Sequence, residues 1–301
     1  MNLSILYRGP LSSCNHDCWY CPFAKRQESA FELAKDRDAL ERFVAWAEQH
    51  PNIQLRILFT PWGEALVRRW YQDALVRLTR LPHVQRAAIQ TNLSCSLDWV
   101  DACDKKRLAL WTTYHPGEIE RPRFVAKCRE LDRRGVRYSV GVVGLKEHAD
   151  AIDALRRELP AHIYLWINAY KDETDYYREE DVRRFTEIDP LFPMNNVRHP
   201  SLGKSCRAGH SVISVDGDGV MRRCHFIKEP IGSLYDADFA KALLPRACTN
   251  ATCGCHIGYV HLEELGLDRV FGDGILEQIP NDTNGHAPKS AGTFSLSKSI
   301  S

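Results

Sequence analysis

The chain has 301 residues, 44% hydrophobic and 26% charged, and its 40 basic and 39 acidic side chains leave a formal charge of +1. That is enough chain for one large domain or one domain plus a smaller one, at roughly 150 residues each. The charge balance argues against nucleic acid or an anionic membrane as main partner, and neither a membrane-length apolar run nor a signal-peptide pattern is present.

The elements follow in chain order. Leu3 to Tyr7 reads as a strand, and Phe31 to His50 carries apolar residues at helical spacing. Gln54 to Phe59 is a strand and Arg68 to Leu81 a helix. Arg86 to Thr91 is a strand and Asp98 to Lys106 a short helix. Leu108 to Thr113 is a strand, and Arg123 to Arg134 a helix stopped by Gly135. Val136 to Val143, the helix Ala149 to Glu158 and the strand Ile163 to Asn168 complete six βα-type units. Strands alternating with helices imply a parallel sheet. Six strands are too few for a closed eight-stranded barrel. The expected fold is therefore α/β, a partial (β/α)6 TIM-like barrel over residues 1–200, with its chemistry at the C-terminal strand ends.

After Leu202 the texture changes. Ser211 to Val215, an Asp-Gly-Asp-Gly turn and Val220 to Cys224 read as a β-hairpin. A small second domain is expected over 201–280. The polar, Ser- and Gly-rich residues 281–301 read as a disordered tail.

The 11 cysteines fall unevenly, with Cys14, Cys18 and Cys21 in one cluster and Cys206, Cys224, Cys248, Cys253 and Cys255 in another. The compartment expected for this chain is the cytoplasm, where disulfides are rare, so such clusters call for metal. Thiolates are soft ligands for zinc or iron–sulfur centres. Three thiolates can hold three irons of a [4Fe–4S] cube and leave the fourth open. Zinc wants a fourth protein ligand, and His16 is too close in the loop to serve easily.

The spacing Cys14-x3-Cys18-x-Tyr20-Cys21 directly after the first strand resembles the signature of the radical S-adenosylmethionine (SAM) superfamily. The resemblance implies that the open iron chelates SAM and that Tyr20 lies near its adenine. Trp62-Gly63-Glu64-Ala65 resembles the family's Gly-Gly-Glu-Pro segment, with Gly63 and Glu64 carried over as contacts to the SAM amino group. Thr91-Asn92 resembles the polar strand end near the SAM ribose and carboxylate. Gly141, in Gly-Val-Val-Gly, resembles the fifth-strand segment near adenine.

The second cysteine set resembles the family's short auxiliary-cluster domain, called twitch, which implies a second [4Fe–4S] cluster. Five thiols for four positions leave one spare. The favoured ligands are Cys206, Cys224, Cys253 and Cys255, with Cys248 free; the competing assignment uses Cys248 and frees Cys255. A free thiol can quench a carbon radical by giving it hydrogen from the face opposite the abstraction, which inverts the centre. The resemblance extends to the family's aminoglycoside epimerases through the run from Arg8 to Lys25 and the five-cysteine pattern.

Acidic residues at strand ends, Glu118, Glu147, Asp172 and Asp175, suit a polycationic aminoglycoside. Tyr114 and His115 are candidates for contacts to sugar hydroxyls. An electron donor such as flavodoxin or ferredoxin is implied as a partner. The rival activities are a radical SAM dehydrogenase of an aminocyclitol or sugar alcohol, a peptide-modifying maturase, and a simple electron carrier.

Overall fold

The computed structural model describes residues 1–23 and 27–281. Six strands, β1 (Asn2–Arg8), β2 (Gln54–Phe59), β3 (Val84–Thr91), β4 (Leu108–Tyr114), β5 (Arg137–Val143) and β6 (Leu165–Asn168), pair in parallel in that order. Helices α1 (Ala30–Gln49), α2 (Arg69–Arg80), α3 (Arg121–Arg133) and α4 (Ala149–Glu158) make most of the connections. The architecture is the expected parallel α/β partial barrel. Its sheet order leaves β6 unpaired on one side. The expected helix at Asp98 is a single 3-10 turn, Asp98–Ala102. A helix that was not expected, α5 (Glu179–Ile188), grows out of the charged run after β6. Acidic residues in its first turn complement the amide dipoles there.

Beyond a short helix α6 (Phe192–Asn195) and a two-residue strand β7 (His199–Pro200), the expected hairpin forms as β8 (Val212–Asp216) and β9 (Val220–Arg222). It does not form a separate sheet. Strand β8 lies parallel against β1, and β10 (Pro230–Ser233) adds to β9, so one nine-stranded sheet runs in the order β10-β9-β8-β1-β2-β3-β4-β5-β6. Strand β11 (Thr252–Cys253) pairs with β7, and two short helices follow, α7 (His256–Tyr259) and α8 (Leu267–Phe271). The tail expected beyond 281 lies outside the described residues.

Side-chain alternation along the strands separates two apolar faces. Ile5, Tyr7, Ile57, Phe59, Ala87 and Ile89 point to the helices. Leu6, Leu58, Ala88, Ala109, Trp111 and Trp166 point inward, where Ile257 and Leu276 from the C-terminal part fill the space between them. The segment after α8 closes the floor. Ser139 donates to the Glu277 carbonyl at 2.7 Å. The fully buried Glu277 carboxylate lies 3.1 Å from Arg86 Nε and 3.2 Å from Arg137 Nε. Among the described residues no helix is long and apolar enough to cross a membrane.

Candidate functional site

Strand β1 ends at Arg8, and the chain then turns over the C-terminal edge of the sheet as the loop that carries Cys14, Cys18 and Cys21. The base of this loop hangs on two acids. Asp36, buried in α1, accepts from the Leu11 amide (3.1 Å), Trp70 Nε1 (2.8 Å) and the Tyr71 hydroxyl (3.0 Å). Glu28 accepts from the Ser12 amide (2.9 Å) and the Ser13 hydroxyl (2.5 Å). Sequence reasoning missed both. Asp36 left a signal: it sits three residues after Leu33 and four before Leu40, on the stripe that α1 buries.

Gly63, after β2, comes so close to this loop that a Cβ would lie 1.8 Å from the Ser13 carbonyl oxygen. The next amide, Glu64, donates to that carbonyl at 3.1 Å. The Glu64 side chain is buried and serves the following strand. One oxygen accepts from the Thr91 hydroxyl (2.9 Å) and the Leu66 amide (3.0 Å), the other from the Asn92 amide (2.5 Å). Burial pushes its pKa up to about 7 against these donors. Asn92 Nδ2 in turn reaches Asn15 Oδ1 at 3.1 Å and Cys14 Sγ at 3.9 Å. The segments containing Gly63, Glu64, Thr91 and Asn92 thus form one bonded unit beneath the cysteine loop.

From the other side, Tyr20 and His115 share a hydrogen bond of 3.0 Å between hydroxyl and Nδ1, and the Asp17 amide donates to Glu118 at 2.9 Å. Burial, first of all, lowers the His115 pKa to about 4, so the ring is neutral at physiological pH. His115 and Glu118, expected to face a substrate, therefore hold the cysteine loop. Tyr114 is corrected outright: it is 4% exposed and packs on Phe124 in the helix-side core, because odd and even residues of β4 face opposite ways. Gly141 faces the barrel interior. A Cβ there would lie 2.0 Å from the Trp166 ring, so its missing side chain makes room for an indole inside the barrel.

The thiols of Cys14, Cys18 and Cys21 lie close enough to act electrostatically on one another, and burial raises the Cys18 pKa to about 11. Among the described residues no three cysteine sulfurs lie within 4.8 Å of one another. A single tetrahedral zinc at Zn–S about 2.3 Å draws its sulfurs to about 3.8 Å. The wider spacing and the all-thiolate chemistry fit a cluster better than one ion. One compact set does exist: ligand atoms of His16, Cys18 and His115 come within 4.8 Å. His16 therefore does approach a thiol, with His115, from the far end of β4, as its companion.

The second set converges from four segments. Cys206 and Cys248 pack against Cys224, Ala208 and Ile227. Cys253 is influenced by Cys224, Cys255, Cys248 and Cys206, and burial raises its pKa to about 12. Cys253 also lies against Gly258, where a Cβ would sit 2.7 Å from its Sγ. Cys255 is exposed, and Lys171 Nζ donates to the carbonyl of the preceding Gly254 at 2.5 Å. The charges of Lys171, after β6, and Arg8, at the end of β1, act on its thiol. Cys95, Cys103 and Cys128 belong to the helix-side core.

Around the mouth, Trp19, 65% exposed, faces Tyr170 at 6.3 Å, and Tyr170 meets Tyr176 at 5.0 Å. The Tyr176 hydroxyl donates to Glu147 at 3.3 Å, and Asp172 and Asp175 are exposed beside them. Aromatic faces and carboxylates therefore share one rim. On the other flank a cavity of about 350 Å³ lies between Arg8, Trp62, Asp216, His225 and Lys228.

No family model matches the chain, and no curated protein sequence does. Solved structures do. The chain is similar to anSMEcpe with bound AdoMet and Kp18Cys peptide (TM-score 0.55, 14% identity, 81% of this chain and 80% of that one). It is similar to SuiB of Streptococcus suis (TM-score 0.53, 13% identity, 81% of this chain), of which it spans 66%. At these identities the likeness is one of fold.

Proposed function

We propose that this protein is a radical SAM enzyme with two [4Fe–4S] clusters and that it epimerises an aminoglycoside, inverting C5‴ of neomycin C to give neomycin B. The observation that carries the reading is the unit formed by the Cys14–Cys21 loop with Gly63, Glu64, Thr91 and Asn92 at the strand ends. Cys14, Cys18 and Cys21 would hold the first cluster, and the Gly63–Glu64 and Thr91–Asn92 segments bonded to that loop would line the SAM site. When bound, the cluster and SAM together supply a 5′-deoxyadenosyl radical that abstracts hydrogen from unactivated carbon. The acidic, aromatic rim of Trp19, Tyr170, Tyr176, Glu147 and Asp172 suits a sugar bearing ammonium groups. Flavodoxin or ferredoxin is the proposed electron donor.

Inversion needs a thiol that gives a hydrogen atom to the substrate radical, and the resulting thiyl takes back one electron and one proton. In the proposed allocation Cys206, Cys224, Cys253 and Cys255 hold the second cluster and Cys248 is the donor. The closeness of Cys253 to Cys224 and Cys255 supports it. A second reading exchanges the roles. It is favoured by the packing of Cys248 with Cys206 and Cys224, and by the exposure of Cys255.

Purified protein, SAM, reductant and a panel of aminoglycosides in deuterium oxide test the activity. The expected product is inverted and carries one deuteron on the inverted carbon. An oxidised product without deuterium would replace the epimerase with a dehydrogenase. Cys248→Ala is expected to keep about eight irons per chain and to cleave SAM without epimerising. Loss of about half the iron, with that phenotype appearing instead in Cys255→Ala, would exchange the two cysteines.

A further inference from the structure

Arg223 immediately precedes Cys224 and is 5% exposed. Its hydrogen bonds all run to main-chain carbonyls: Nε to Ala208 (3.4 Å), Nη1 to Ala247 (2.6 Å) and Nη2 to Arg246 (2.5 Å). No carboxylate is among these partners. Gly209 lets the side chain lie flat across the loop, since a Cβ there would sit 2.8 Å from Arg223 Cγ, and its φ of +93° also favours glycine.

A buried cation without an acid is costly, and a guanidinium cannot escape by losing its proton. Carbonyl dipoles solvate it without cancelling its charge. Thiols stand next to it and to its carbonyl partners in the chain. Cys224 is its neighbour in the chain, Ala208 lies two residues past Cys206, and Ala247 adjoins Cys248. The guanidinium charge reaches the Cys206 thiol. One side chain therefore ties together three of the segments that bring the second cysteine set into place.

We propose that Arg223 is the built-in counter-charge of the second iron–sulfur cluster, a positioning residue that clasps the Cys206, Cys224 and Cys248 segments and raises the cluster's reduction potential. The proposal rests on the second-cluster reading above, and it holds for either allocation of Cys248 and Cys255. A cube held by four thiolates is an anion, and one added electron makes it more negative. A fixed cation in a poorly solvated site favours that electron.

The test is a redox titration of the holoprotein followed by electron paramagnetic resonance, with iron counted in parallel. Adding SAM marks the first cluster, whose spectrum alone should change. In Arg223→Gln the second cluster's midpoint is expected to move negative by at least tenfold in reduction equilibrium constant, about 59 mV for one electron. Arg223→Lys, which keeps the charge and loses the fork, is expected to stay near the wild-type midpoint. An unchanged midpoint in Arg223→Gln with full iron overturns the proposal. If Arg223→Gln loses the cluster, Arg223→Lys decides: a retained cluster at wild-type potential supports the counter-charge, and a lost one overturns it in favour of a purely structural clasp. Wild-type protein with only about four irons would remove the second cluster itself, a separate failure.

Discussion

The two cysteine regions solve one problem in opposite ways. Cys14, Cys18 and Cys21 sit within eight residues of one loop, and remote side chains hold that loop: Asp36 and Glu28 at its base, Asn92, His115 and Glu118 along its length. The second set is spread over fifty residues from Cys206 to Cys255 and is gathered by main-chain contacts and the Arg223 clasp. A contiguous ligand loop borrows its rigidity from the barrel. A dispersed set has to build its rigidity locally.

The largest way to break this comparison is to remove a ligand of the first loop. Cys18→Ala is expected to lower iron from about eight to about four per chain and to abolish 5′-deoxyadenosine formation, leaving the second cluster's spectrum in place. Loss of all iron would show that the two regions are not independent. Next comes the borrowed rigidity. Asp36→Ala leaves the buried donors of Leu11, Trp70 and Tyr71 without their acceptor, at a cost of about 3 kcal/mol in denaturant unfolding. Iron loading of the first cluster should fall with it while the second persists.

The smallest effect concerns Glu64. Its folded pKa, raised to about 7 by burial, means that the folded state binds more protons than the unfolded state between about pH 4.5 and pH 7. Its contribution to stability is therefore full at low pH and is lost as pH rises through that window. Unfolding measured across the window should show this slope in the wild type. Glu64→Gln should lack the slope, and should be destabilised by about 1–3 kcal/mol because an amide donor would face either the Asn92 or the Leu66 amide.

Most of the barrel was legible because strand alternation and helical spacing are local patterns, and β2 and α4 fall at the bounds they imply. Gly63, Glu64, Thr91 and Asn92 were singled out by the resemblance of their segments to family motifs, and they meet at the cysteine loop. What was not legible depends on contacts distant in sequence. Nothing local says that β8 will pair with β1, that β4 will run on to include Tyr114, or that Trp166 will occupy the space over Gly141. His115 and Glu118 carry the residue types of a substrate site, and only the fold shows that they reach back to the loop at residues 17–20.

The segment that closes the barrel floor has a consequence for synthesis. Leu276 completes the inner face that Leu6 begins, and Glu277 neutralises arginines on β3 and β5. During translation the strands emerge long before this plug does, with Arg86 and Arg137 unpaired and an apolar lining open to water. The nascent barrel therefore passes through a stage that is exposed to aggregation and to chaperones until Leu276 and Glu277 leave the ribosome.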